Sequence, residues 1–208
     1  MSEAVRDDTI EVQGRADEYA LDLTDEQRER RRDALALIRQ FGDPVLKSRA
    51  SEVTEYGPEL EREAERMIEI MRDAVGVGLA ATQLGLMRRL LVFQAGPDAT
   101  PTALVNPVIE WLSDEAAVAT EGCLSLPGVA VDVERPLHAR VHGVGVDAEP
   151  LLIEASGLEA RVLQHEIDHL DGVLMLDRTE REQRKGALRA LREGTTYSPE
   201  AEDEEEEL

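Results

Sequence analysis

Ser156-Gly157-Leu158-Glu159-Ala160-Arg161-Val162-Leu163-Gln164-His165-Glu166-Ile167-Asp168-His169-Leu170-Asp171-Gly172 is the stretch whose reading decides the fold of this 208-residue chain. Its periodicity is helical. Leu158, Val162, Leu163, Ile167 and Leu170 form an apolar stripe, Ser156 with Glu159 reads as a capping box, and Gly172 sits where a helix stops. On such a helix His165 and His169 lie on one face about one turn apart, with Glu166 between them. That is an H-E-x-x-H arrangement. It offers two neutral nitrogen donors for a metal and a carboxylate placed to move protons of water. The chain has four histidines, and two fall in this motif. His138 and His142 are also four apart, but their segment alternates apolar and polar residues, so both are read as solvent-facing strand positions.

A catalytic site of this kind needs a third protein ligand. In the longer H-E-x-x-H-x-x-G-x-x-H pattern Gly172 fits, but Met175 stands where the last histidine should be, so that pattern fails. A downstream glutamate would be Glu180 or Glu193. Glu180 opens a solvated charged run and Glu193 lies just beyond it. The better candidate is upstream. Cys123, the single cysteine, sits in Glu121-Gly122-Cys123-Leu124-Ser125-Leu126-Pro127-Gly128, where Gly122 allows close approach and Pro127-Gly128 turns the chain. A thiolate with two imidazoles makes a three-ligand site with one open position. A third stretch, Gly76-Val77-Gly78-Leu79-Ala80-Ala81-Thr82-Gln83, brings small residues and an amide donor together; by itself it reads as a helix end followed by a small-residue turn.

In this order and at about this spacing, GVGLAATQ, EGCLS and QHEIDHLDG resemble the peptide deformylase family, whose members carry G-x-G-L-A-A-x-Q, E-G-C-L-S and Q-H-E-x-D-H-L. Phe41-Gly42-Asp43-Pro44-Val45-Leu46 and Val105-Asn106-Pro107 extend the resemblance, which covers roughly residues 35 to 193. One departure is Thr82, where most members have proline, a change expected to loosen the turn before Gln83.

The resemblance implies hydrolysis of the formyl group from the amino-terminal formyl-methionine of new polypeptides, releasing formate. It implies one divalent metal ion per chain, held by Cys123, His165 and His169 and activating water. Sulfur and nitrogen donors suit zinc, iron(II), cobalt or nickel. The resemblance implies iron(II), with nickel and cobalt active and zinc a poorer substitute. Glu166 would carry the proton, while the Leu124 backbone N–H and the Gln83 side-chain amide would receive the charge on the formyl oxygen. Gly78 resembles the glycine whose backbone meets the substrate peptide, which would run antiparallel beside it as an added strand. Val77, Leu124 and Val162 are expected as walls for the methionine side chain, with Glu121 also placed on the substrate side.

The remaining sequence sets the frame. Pro58 to Ala74 reads as a helix with Leu60, Ala64, Met67, Met71 and Val75 on one face, and a charged helix runs from about Glu180 to Arg192. Strand-like runs are Leu90 to Phe93, Ala103 to Val105, Val108 to Trp111, Val129 to Val131, Ala139 to Val146 and Leu151 to Ile153. Strands followed by helices predict an α+β fold, with antiparallel or mixed sheets around the central H-E-x-x-H helix and a further C-terminal helix. Residues 1–33 form a charged extension expected to be disordered or a marginal helix capped by Thr24 and Gln27. Residues 34–193 form the catalytic domain, and residues 194–208 an acidic tail expected to be disordered.

No stretch is long and apolar enough to span a membrane, and the amino terminus resembles no export signal, so cytoplasmic residence is expected. The formal net charge of −22 argues against binding free nucleic acid. The helix near the C-terminus nevertheless groups Arg181, Arg184, Lys185, Arg189 and Arg192, as in deformylases whose basic C-terminal helix can contact the ribosome. Lys47 and Lys185 are the only lysines. Such acid-rich, lysine-poor composition fits either adaptation to molar salt or a GC-rich genome with acidic termini. A metallopeptidase using only H-E-x-x-H, and a ribosome-associated binding protein without chemistry, are the other readings. The first would tolerate loss of Cys123.

Overall fold

The computed structural model describes residues 5–6 and 23–199. The predicted α+β class holds. Five strands form one antiparallel sheet in the order β2 (Gly78–Ala80), β3 (Leu90–Phe93), β4 (Thr102–Leu112), β7 (His138–Val144), β8 (Pro150–Ser156). A second sheet has the order β1 (Val5–Arg6), β5 (Ala116–Gly122), β6 (Ala130–Pro136), with β1 parallel to β5. Among the described residues four α-helices accompany them: α1 (Asp25–Leu35), α2 (Pro58–Asp73), α3 (Leu158–Leu170) and α4 (Arg181–Glu193). α3 is the H-E-x-x-H helix, and every residue from Ala160 to Leu170 is buried.

Strand β3 shows why the first sheet can be covered on both sides. Its four residues are all buried, and they alternate: Leu91 and Phe93 pack with α3, while Leu90 and Val92 pack with α2. A run without polar alternation is what a doubly covered strand requires. α2 buries Leu60, Ala64, Met67, Ile70 and Met71 in that second layer. Val75, expected on the same stripe, lies past the helix end with φ +62°. There Val75 N–H donates to Arg72 O and Gly76 N–H to Met71 O, closing the helix with a left-handed residue. A third apolar cluster joins Val131 and Val133 of β6, the Cys123 loop, and Ala187 and Ala190 of α4.

Several local expectations need correction. Ser156 ends β8 and does not cap α3. Its Oγ lies 2.9 Å from His138 Nδ1, and the N-cap is Gly157 with φ +57°. The two strands expected around Asn106-Pro107 are one strand, β4, with shifted register there. Asn106 has φ +50° and turns its amide onto the Val53 backbone, accepting from Val53 N–H and donating to Val53 O, both at 2.8 Å. The side chain thereby stands in for a missing strand partner. Gly78–Ala80, read as a small-residue turn, is an edge strand, and Ala116–Gly122 is a strand the sequence pattern did not single out. Thr24 and Gln27 form the expected reciprocal cap of a helix that stays largely exposed through Asp33; beyond that point Ala34 and Ile38 are buried in the α2 cluster. Other parts of the expected N-terminal extension, and residues 200–208 of the acidic tail, lie outside the described residues.

The chain leaves α3 at Gly172, as its sequence predicts. Gly172 has φ +73°, and a Cβ there would lie 2.8 Å from the Lys47 carbonyl. The segment Pro44–Lys47 that crosses this point is pinned by Lys47 to Asp177, whose other contacts are the Leu174 N–H and Arg184. Burial would raise the Asp177 carboxyl, but the bonds from Lys47 and Leu174 outweigh it and lower the pKa. A depressed carboxyl stabilises the fold above its unfolded pKa and loses that contribution as pH falls through the folded value. Asp177→Asn should therefore lower Tm at pH 7 by about 2–4 °C, a partly exposed pair being worth about 1 kcal/mol or less. The difference from the parent should narrow as pH falls below the ordinary carboxylate range and through the lower folded value; thermal melts across pH 2–8 check it.

Candidate active site

Three elements bring the chemistry together. α3 presents His165 and His169 one turn apart, with ring centroids 4.9 Å apart and nearly perpendicular. The turn after β5 presents Cys123, whose Sγ lies 3.2 Å from His169 Nε2. The short helical turn after β2 presents Gln83, whose Nε2 lies 3.7 Å from the same sulfur. One donor atom from each of Cys123, His165 and His169 falls within 4.8 Å of the others, and all three residues are buried. For a tetrahedral ion with bonds near 2.1 and 2.3 Å, a sulfur–nitrogen edge of about 3.6 Å is expected. The spacing fits a metal.

The surroundings support that fit. His165 Nδ1 lies 2.9 Å from Glu121 Oε2, so Nδ1 carries the proton toward the carboxylate and Nε2 is left as donor. Burial and the neighbouring His165 hold His169 well below the ordinary imidazole range, which keeps it neutral, the form that ligates. Burial pulls His165 down, but its bonds to Cys123 and Glu121 outweigh that and raise it. Two buried atoms here have no hydrogen-bond partner: His169 Nδ1 and Glu166 Oε2. Glu166 lies directly over Gly78, where an added Cβ would come within 2.4 Å of its Oε1. Burial pushes the Glu166 carboxyl up to about 7.

Glu121 is misplaced by the sequence reading. It is fully buried, with Oε1 accepting from Arg135 Nε at 2.6 Å and Arg161 Nη1 at 2.8 Å. Its Oε2 accepts from Arg135 Nη2 as well as facing His165. Burial would raise this carboxyl, but the Arg135 guanidinium and the bonds from His165 and Arg135 hold it well below the usual range. Its contact with Nδ1 fixes the orientation of the His165 ring. Arg135 also donates to Asp168 of the motif, which Arg178 clamps from the outside. The sequence carried a signal for this: Val131, Val133 and Arg135 share one face of a strand, so an arginine continues a buried row. Arg161 likewise sits one turn before His165 on α3.

The other expected site residues divide. Gly78 is on β2, a buried strand that, among the described residues, has β3 as its single strand partner. Val77 and Val162 belong to the apolar cluster around α3, whereas Leu124 packs in the α2 cluster. Thr82 does not loosen its turn. It is fully buried, and its hydroxyl donates to His169 O at 3.2 Å, tying the turn to α3. His138 is half-buried and His142 exposed, both on β7 and away from this cluster, as expected.

The family model for polypeptide deformylase matches residues 35–185. The chain belongs to the polypeptide deformylase family. It is 48% identical to the peptide deformylase of Acidothermus cellulolyticus over 77% of this chain and 87% of that protein. It is 41% identical to peptide deformylase 1 of Corynebacterium glutamicum over 79% of this chain and 99% of that one. Among solved structures, the Thermotoga maritima peptide deformylase superposes with a TM-score of 0.67 at 45% identity, covering 69% of this chain and 96% of that chain. The Synechococcus elongatus peptide deformylase in complex with actinonin gives 0.71 at 39%, covering 76% and 88%. The family removes N-formyl groups from nascent polypeptides and depends on a metal, so the triad is its metal site in this chain.

Two substitutions separate ligand from orienting partner. Purified Cys123→Ala should retain far less than the about one metal equivalent expected of the parent after dialysis. Glu121→Gln keeps the shape but not the charge facing His165, Arg135 and Arg161. It should weaken metal affinity about 10- to 100-fold in competition with a chelator, and lower Tm as well.

Proposed function

We propose that the chain hydrolyses the formyl group of nascent formyl-methionyl peptides with Glu166 as proton carrier, and with Gln83 and the Leu124 N–H as donors to the formyl oxygen. The observation that carries this reading is the convergence on one buried spot: the triad, the partnerless Glu166 Oε2 and the Gln83 amide meet beside β2, the terminal strand of its sheet. A divalent ion held by Cys123, His165 and His169 supplies a Lewis acid and an acidified water. Glu166 accepts the proton of the attacking water and delivers it to the leaving nitrogen. Gln83 and Leu124 receive the charge that develops on oxygen, in a site from which bulk water is largely excluded. The peptide docks antiparallel on β2 at Gly78, with Val77 and Val162 offering apolar surface for methionine.

Iron(II) is the proposed native ion. The mixed sulfur and nitrogen donor set suits it, as it does nickel, cobalt and zinc, and an iron–thiolate pair fits a reducing cytoplasm. For the ribosome, α4 exposes Arg181, Arg184, Lys185, Arg189 and Arg192, although Arg184 and Lys185 are partly neutralised by Asp177 and Glu182. The acidic residues after 199 would compete with RNA for these charges, so trimming them should strengthen ribosome co-sedimentation; unchanged binding would sink the competition.

The decisive measurement is formate release from formyl-Met-Ala-Ser by anaerobically purified, iron-loaded protein. Glu166→Gln should lower kcat by about 10²–10⁴-fold. Gln83→Leu should lower it by about 10²–10³-fold. Acetyl-Met-Ala-Ser should turn over far more slowly, a methyl replacing hydrogen in a tight site. Release that survives Glu166→Gln would assign the proton to another group.

A further inference from the structure

The Gln83 carboxamide is held from three sides. Its Oε1 accepts the Ala80 N–H at 2.8 Å, and a peptide N–H cannot donate to an amide nitrogen, so this bond settles which way the group is flipped. Its Nε2 must then face the other way, and it lies 3.2 Å from Ser125 Oγ and 3.7 Å from Cys123 Sγ. Both Gln83 and Ser125 are buried, Ser125 completely. We propose that Ser125 is a positioning residue for the reaction: its hydroxyl takes one N–H of Gln83 and thereby aims the other at the metal centre. This rests on the reading of Gln83 as oxyanion donor.

The backbone around the lock is braced to match. Arg39 N–H donates to Gln83 O at 2.7 Å, and Phe41 N–H donates to Ser125 O at 2.8 Å. Between them Gln40 extends its amide toward Leu124 O, at 3.4 Å. The segment 39–41 therefore staples the two loops that carry the proposed oxyanion donors, and Ser125 joins the Ala80 N–H in fixing the torsion of the carboxamide. Without the hydroxyl a buried N–H has no acceptor, and the amide turns to find one. Small misplacement of such a donor is enough to slow the chemistry while leaving substrate binding intact.

A double-mutant cycle on formate release tests this, using Ser125→Ala, Gln83→Leu and both together. Ser125→Ala should lower kcat by about 10- to 100-fold with KM within about twofold, and in the Gln83→Leu background it should add nothing. In metal-free protein labelled with nitrogen-15 glutamine, the Gln83 side-chain amide protons should exchange slowly in the parent and markedly faster in Ser125→Ala. Parent-like kcat and exchange in Ser125→Ala would overturn the proposal. So would an equal further loss in the double variant, which would mark a structural role. Parent-like kcat in Gln83→Leu would instead overturn the oxyanion reading, and the purpose of the lock with it, even if exchange still quickened.

Discussion

A single buried carboxylate, Glu121, holds the site in register. It sits two residues before Cys123 on β5, takes two guanidinium groups from Arg135 on β6 and Arg161 on α3, and faces the His165 ring. One group thus fixes the strand that carries the sulfur ligand to the helix that carries the nitrogen ligands. Isolated, such a charge would be prohibitively costly to bury; here both oxygens are engaged and two arginines compensate it. Removing one member of a buried pair of this kind typically costs about 3–5 kcal/mol, because the partner charge stays behind. The network continues outward through Arg135 to Asp168 and from Asp168 to the partly exposed Arg178, so the interior charges are connected to the surface and not sealed in.

The same arrangement explains why α3 can be buried on every side while carrying polar residues. Arg161, Gln164, His165, Glu166, Asp168 and His169 are all buried. A helix with that composition would normally turn these groups to water. Here Arg161 and His165 meet Glu121 of β5, Asp168 meets Arg135 of β6 and Arg178, and Gln164 donates to Pro136 O and to Ala160 O. The apolar residues between them, Val162, Leu163, Ile167 and Leu170, fill the space toward the five-stranded sheet. Function and folding draw on the same side chains, and this is why the helix sits at the centre.

Much of this was legible in the chain. The H-E-x-x-H helix, its stop at Gly172, the Pro58 helix and the strand at Leu90 follow from periodicity and turn chemistry alone, since each is a local pattern. The three segments that meet at the site were legible because their side chains are chemically distinctive. What escaped was set by partners distant in sequence. Ser156 looks like a cap until β8 claims its backbone, and Gly78–Ala80 looks like a turn until β3 pairs with it. Glu121 looks like a residue for substrate because it adjoins Cys123, but strand alternation and two arginines turn it inward. Thr82 reads as a weakened turn, whereas its hydroxyl finds the His169 carbonyl across 87 residues of chain.

Gly78 shows how tightly the proposed roles are bound together. On the proposed reading its backbone is the docking edge for the peptide, and its missing side chain is the space Glu166 occupies. A Cβ would meet Oε1, Cδ and Cγ of Glu166, all flexible side-chain atoms, so the fold could absorb it by swinging the carboxylate aside. The glycine thus leaves the Glu166 carboxylate in the space a side chain at position 78 would take, and on the proposed reading proton carrier and docking edge lie side by side for that reason.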